Sequence, residues 1–166
     1  MNGAQPLIRV RSIKPADRAW VTAEFSQHFG GPEIDSRGAW FDTRELPGLL
    51  AEHEGRQIAA LSHTPMIAGR DCEIVALASH EAGRGAGTAL LEACIAAARD
   101  AGCARLFLTT SNDNTPALRF YQKRGWRLVS VHRDSITRAR LRKPTIPLYG
   151  HDAILIADEL ELEFAL

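Results

Sequence analysis

Gly83, Gly85 and Gly87 fall within five residues and run straight into an apolar stretch that favours a helix, Thr88 to Asp100. Glycines at this density strip side chains from a backbone that something must approach closely. At a helix start the free N–H groups and the positive end of the dipole together make an anion site. Two familiar glycine loops do not fit. A Walker loop needs GxxxxGK[ST], but Gly83 and Gly87 are too close and no lysine follows. A dinucleotide fingerprint needs GxGxxG after a first strand. Here the spacing is GxGxG, a leucine stands where the last glycine would sit, and three strands precede the loop's own.

Other reactive residues offer less. Six histidines show no HxxxH or HxH spacing, and Cys72, Cys94 and Cys103 form no CxxC pair, so metal ligation is not expected. Cys103 precedes a strand with no catalytic partner and reads as core. His80 and Glu81 stand at the mouth of the glycine loop, and His53 and His63 lie on a hairpin; each reads as structural before it reads as catalytic. Twenty basic residues balance twenty acidic ones, so no global field calls for nucleic acid or an anionic membrane. The basic run Arg138 to Lys143 has no interleaved aromatics, which argues the same way. No stretch is long and apolar enough to span a membrane, and the unpaired cysteines fit a cytoplasmic protein.

The stretch "ALASHEAGRGAGTALL" resembles the pyrophosphate loop of the GNAT N-acetyltransferase superfamily, [QR]xxGx[GA] after its fourth strand. Gly85, Ala86 and Gly87 match its second half, while Ala82 replaces the usual arginine or glutamine. A second stretch, "TTSNDNTPALRFYQKRGW", resembles the family's NxxAxxFYxKxGF. Asn114, Ala117, Phe120, Tyr121, Lys123 and Gly125 match in order, and Trp126 stands for phenylalanine.

The resemblance implies an acetyl-CoA-dependent N-acetyltransferase acting on a primary amine by direct transfer. The alternative is a non-catalytic acyl-CoA-binding domain of the same fold, mildly favoured by Ala82. It places the pantetheine along Val75, Ala76 and Leu77. It places the pyrophosphate on the amides of Ala82, Gly83, Arg84, Gly85, Ala86 and Gly87, with Thr88 beside them. Asn114 would hold the cofactor or cap the next helix, and Ala117 would complete the cofactor site. Tyr121 would give the leaving thiolate a proton or hydrogen bond, and Glu73 would deprotonate the amine. The acceptor pocket is expected from the first helix, the connection after it and the region after strand six. Arg37, Trp40 and Arg44 in that connection suit an acidic or aromatic acceptor. A monomer or homodimer is expected.

The elements that must position these residues follow from periodicity. Leu7 to Ser12 alternates as a strand, and "KPADRAWVTAEFSQHF" reads as a helix closed by Gly30-Gly31. Ile34 to Pro47 reads as a polar connection. Two strands surround a Glu54-Gly55 turn, and Cys72 to Ser79 is the fourth strand. A helix from Thr88 to Asp100 stops at Gly102, and Ala104 to Thr110 is a buried strand. A short helix opens near Pro116 and ends at Gly125. "WRLVSVHR" and "DELELEFAL" are the last strands, with a basic segment between them that is helical to Arg142. The expected fold is one α/β domain over residues 1–166. Its mixed, mostly antiparallel sheet of about seven strands is splayed between strands four and five and flanked by helices.

Overall fold

A computed structural model describes residues 7–81 and 83–166. In chain order they form β1 (Arg9–Ser12), α1 (Arg18–Phe29), β2 (Glu33–Ser36), β3 (Ala39–Asp42), β4 (Gly48–His53), β5 (Arg56–His63) and β6 (Asp71–Ser79). Then come α2 (Ala86–Asp100), β7 (Arg105–Ser111), α3 (Thr115–Gln122), β8 (Arg127–His132), α4 (Ser135–Arg142) and β9 (Glu159–Phe164). The helix ends carry the expected signals. Gly30 closes α1 in the left-handed region at φ 73°, which costs glycine little. Asn114 opens α3 by accepting a hydrogen bond from the Ala117 N–H at 3.2 Å, the usual work of an N-cap.

One expectation changes. The stretch read as a polar connection contains the antiparallel hairpin β2–β3, registered Glu33 with Asp42 through Ser36 with Ala39. Its strands are four residues long, Glu-Ile-Asp-Ser and Ala-Trp-Phe-Asp, too short for alternation to declare them. The strand expected as the fourth is therefore sixth in chain order.

Seven strands form one sheet in the order β1-β4-β5-β6-β7-β9-β8, with β6 and β7 its parallel pair. That ladder runs from Asp71–Arg105 to Ile74–Leu108, although β6 continues to Ser79 and β7 to Ser111. On its other side β6 pairs with β5, where Ser62 faces Ala76 and His63 faces Ile74. Val75 is thus an additional residue, a β-bulge, which breaks the two-residue alternation and re-aims the side chains around it.

The bulge shows in the packing. Cys72, Ile74 and Leu77 pack with Leu90, Leu91 and Cys94 of α2, whereas Ala76 and Ala78 pack with Val21 and Phe25 of α1. One face of the sheet therefore carries α2 and α3, and the other carries α1 and the β2–β3 hairpin. Leu90 is fully buried at the centre of the first face; its truncation to alanine would cost about 2–5 kcal/mol. No helix among the described residues is long and apolar enough to cross a membrane.

Candidate active site

The glycine loop lies where β6 hands over to α2. Gly83 and Gly85 adopt φ of 83° and 80°, a region that disfavours any residue with a Cβ, and Gly85 is the N-cap of α2. Gly87 lies within the first turn, and a Cβ there would stand 3.3 Å from the Phe120 ring. No side chain caps this helix start, so its first N–H groups are left for a ligand or water. Arg84 pairs with Glu81 at 2.5 Å, which offsets much of the positive charge that this loop side chain brings. Ala82 lies outside the described residues.

Beside that helix start is a cleft of about 540 Å³ lined by Thr88, Pro116, Arg119, Phe120, Lys123 and Arg124. Arg124 is fixed: its Nε donates to the Thr88 hydroxyl at 2.9 Å, and its guanidinium lies 3.8 Å from the Phe120 ring centre. Arg119 and Lys123 form no ion pair among the described residues. Three cations and a helix N-terminus on one cleft make a strong anion site. Sequence reasoning counted Lys123 only as a motif match and missed both arginines. The clustering of Arg119, Lys123 and Arg124 at the end of α3 was the available signal.

Tyr121 is buried on the α2–α3 face, its ring 5.2 Å from Phe120 and 5.7 Å from Trp126. Burial pushes its phenol well above the ordinary value, so near neutral pH it is a hydrogen-bond donor and not a base. Among the described residues its hydroxyl donates to no side chain or carbonyl.

Glu73 occupies the opposite, hairpin face at 4% exposure. Ser36 of β2 donates to its Oε1, and the Arg37 guanidinium stands 3.4 Å from Oε2. Burial pushes the Glu73 carboxyl above its ordinary value, partly countered by the Ser36 hydroxyl and Arg37. Two further carboxylates, Glu159 and Glu161 of β9, are buried on the same face. Glu159 accepts from the Thr109 hydroxyl, the Ser135 hydroxyl and the Arg37 N–H. Burial pushes Glu161 up, but His132 at 2.7 Å and Arg105 at 2.8 Å outweigh that and hold it below its ordinary value. A cleft of about 550 Å³ opens onto this group, with Arg37, Glu73, Arg105 and Phe107 in its wall and Pro65 and Ile67 on its apolar side. The acids of β9 were legible only as alternation in "ELELEF", which reads equally well as a solvated face.

Val75, Ala76 and Leu77 lie on β6 beyond its last rung with β7. Their β5 edge is engaged, since Ala76 faces Ser62 and Leu77 faces Leu61. His80 at the loop mouth pairs with the buried Glu24 of α1 at 3.1 Å. His63 is buried and pushed below its ordinary value. Burial also pushes Cys72 up to about 11 and Cys94 up to about 12, which makes both inert thiols. A third cleft, of about 370 Å³, lies between the end of α1, the hairpin and the end of α4, lined by Trp40, Arg44, Arg142 and Lys143 among others. Trp40 there is covered by Arg142 at 4.3 Å, and Arg44 pairs with Asp42.

A mixed sheet with a bulged strand, a glycine loop and a cationic helix start defines an acyltransferase-like fold, and the solved structures agree. The chain superposes on a GNAT family acetyltransferase from Elizabethkingia anophelis with a TM-score of 0.67 at 19% identity, covering 96% of this chain and 98% of that one. Arabidopsis thaliana Naa50, in complex with the bisubstrate analogue CoA-Ac-MVNAL, superposes with a TM-score of 0.70 at 14% identity, covering 96% and 99%. In sequence, the uncharacterized protein YdhI of Bacillus subtilis is 40% identical over 84% of this chain and 87% of its own length. The model of the acetyltransferase (GNAT) family matches residues 16–126. The chain belongs to that family.

Proposed function

We propose that the protein transfers an acetyl group from acetyl-CoA to a primary amine, and that residues 1–166 act as one catalytic domain in the cytoplasm. The observation that carries the reading is the placement of two groups on opposite faces of the sheet. Tyr121 packs with Phe120 and Trp126 on the α2–α3 face, and Glu73 lies under the hairpin, one rung before the β6–β7 ladder ends. The ladder's end at Ile74–Leu108 favours the splay expected between these strands. Acetyl-CoA then reaches the opening from the glycine loop, with its phosphates on the α2 start and the Arg119–Lys123–Arg124 cleft. The bound acetyl-CoA of the Elizabethkingia structure supports this donor, and the bisubstrate analogue of the Arabidopsis structure supports transfer in one step.

The chemistry needs a neutral amine and a leaving thiolate. Glu73, a buried carboxylate whose pKa is raised toward neutrality, suits proton abstraction. Tyr121, held protonated by burial, suits donation to the departing sulfur. Each flank supplies one proton-transfer group, and attack on the thioester passes between them. Val75, Ala76 and Leu77 hold the pantetheine on the edge of β6 that faces β7, while Asn114 and Ala117 hold the start of α3 beside it. A thermal-shift titration tests the donor: acetyl-CoA at about 100 times its Kd adds about 2.7 kcal/mol to stability. Thiol release with a panel of amines tests turnover. A folded protein with no shift at millimolar acetyl-CoA overturns the reading.

A further inference from the structure

Arg37 and Arg105 flank the same ring, with guanidinium carbons 4.5 and 4.4 Å from the Phe107 centre. Their anchoring differs. Arg105 meets Glu161 at 2.8 Å, Glu163 at 3.1 Å and Asp71 at 3.2 Å. Arg37 reaches Glu73 and Glu161 only at 3.4 and 3.5 Å, well beyond the roughly 2.7–2.9 Å of a tight charge-assisted bond. Arg37 is nonetheless the one cation within ion-pair distance of Glu73 among the described residues.

The position of Arg37 is also the wrong one for its type. Arg37 and Gly38 have φ of 55° and 86°, the pair of a type I′ hairpin turn, whose first place favours Asn, Asp or Gly. A β-carbon residue with a long side chain held there signals a use for that side chain. Here the side chain spans the wall of the cleft that opens onto Glu73.

We propose that Arg37 is a displaceable cation seated where the acceptor's ammonium binds, so that the acceptor is a cationic primary amine on an apolar stem. This rests on the acetyl-transfer reading, with Glu73 as the group that meets the amine. Removing Arg37 with nothing in exchange leaves a buried carboxylate without a cation. An entering ammonium restores the balance, and it gains the face of Phe107. Pro65 and Ile67 suit a hydrocarbon stem. A carboxylate on that stem would meet Asp71 in the same wall, and Arg105 beside it is already held by Asp71, Glu161 and Glu163, which leaves Arg70 as the other cation of the lining.

The test is calorimetric titration of n-pentylamine and of 5-aminopentanoate into the CoA-saturated protein, for wild type, Arg37→Asn and Arg37→Asn with Glu73→Gln. Asparagine before glycine suits the turn, and Arg37→Gly serves as a second variant that also relieves φ. Arg37→Asn is expected to bind pentylamine about tenfold tighter than wild type, and adding Glu73→Gln to reverse that gain. The aminopentanoate should bind more weakly than pentylamine in every form. Equal or weaker pentylamine binding by both Arg37 variants, or none at millimolar concentration, overturns the proposal. So does tighter aminopentanoate binding that needs Arg37, since the guanidinium would then be an anion anchor. The CoA saturation step reads the donor site separately: failure there counts against acetyl transfer, and the amine titration without CoA still decides the role of Arg37.

Discussion

The hydroxyls of Ser36 and Thr109 lie 3.1 Å apart, one on the hairpin and the other on β7 one residue past its last rung with β6. They stand between two buried carboxylates, because Ser36 donates to Glu73 and Thr109 donates to Glu159. Each hydroxyl has a single proton to give. With both carboxylates ionised, the central contact therefore has no hydrogen in it. The row is bonded throughout when Glu73 is protonated and donates to Ser36, which frees the Ser36 proton for Thr109.

The Glu73 carboxyl is pushed above its ordinary value mainly by burial. Its protonated form favours the fold below the usual carboxylate range, about pH 4.3, and that contribution is lost as pH rises through the raised value. Glu73→Gln is therefore expected to raise the melting temperature relative to wild type at pH 7 to 8 and not near pH 4. It should lower kcat by about 10²–10⁴-fold. In wild type the acidic limb of kcat/KM should lie above an ordinary glutamate's, and Ser36→Ala, which deletes a donor to the carboxylate, should move it higher still. A limb at the ordinary glutamate value in rate–pH profiles counts against Glu73 as the base.

Tyr121→Phe keeps the ring against Phe120 and Trp126 and deletes only the hydroxyl. A thiolate leaving group needs little help from an acid near neutral pH, so the effect belongs at the low end of general acid catalysis. The expected loss is about tenfold or somewhat more in kcat, with CoA affinity within a few-fold and the melting temperature nearly unchanged. Steady-state kinetics beside calorimetry separate these quantities. Unchanged turnover makes Tyr121 a packing aromatic.

Gly85→Val and Gly87→Val should weaken acetyl-CoA binding far more than Gly102→Ala. Gly102 also has positive φ, at 70°, and a Cβ there would meet Ala68 at 3.6 Å. Its substitution should therefore lower the melting temperature and leave affinity alone. Gly85 shares the positive φ, at 80°, so its variant should lose stability as well as affinity, and binding is therefore measured on folded protein. If affinity tracks stability across all three, the glycines serve only the backbone.

Arg119→Ala and Lys123→Ala, at residues with no ion pair among the described residues, should each weaken acetyl-CoA binding about fivefold, roughly 1 kcal/mol. The loss should shrink as salt rises. Arg124→Ala should cost more stability than either, because its guanidinium is committed to Thr88 and the Phe120 backbone. Salt-dependent titrations and melting curves check both statements.

The glycine loop and the start of α3 were legible in sequence because backbone and short-range motifs make them. Glycines with positive φ, a cap at Asn114 and an aromatic helix are each announced by immediate sequence neighbours. The hairpin side was not. Ser36 and Glu73 are separated by 37 positions and Arg37 and Glu159 by 122, and nothing local distinguishes Ser36 from a solvated serine. Glu73 alone on a strand carries the same ambiguity until the hairpin closes over it. Two contacts decide its character, the Ser36 hydroxyl and the Arg37 guanidinium, and both come from a hairpin whose strands are too brief to show a period.

The additional residue at Val75 has a further consequence for how this chain can change. Without the bulge, a regular two-residue period running through Val75 would carry Ala76 and Ala78 to the α2 face, away from α1. Deleting Val75 leaves Cys72, Ile74 and Leu77 toward α2 and Glu73, Ala76 and Ala78 on the other face, because Ala76 then follows Ile74 in ordinary alternation. Adding one residue elsewhere in β6 instead changes the parity of a whole half-strand at once. The strand is therefore expected to tolerate the loss of Val75 better than an insertion at any regular position.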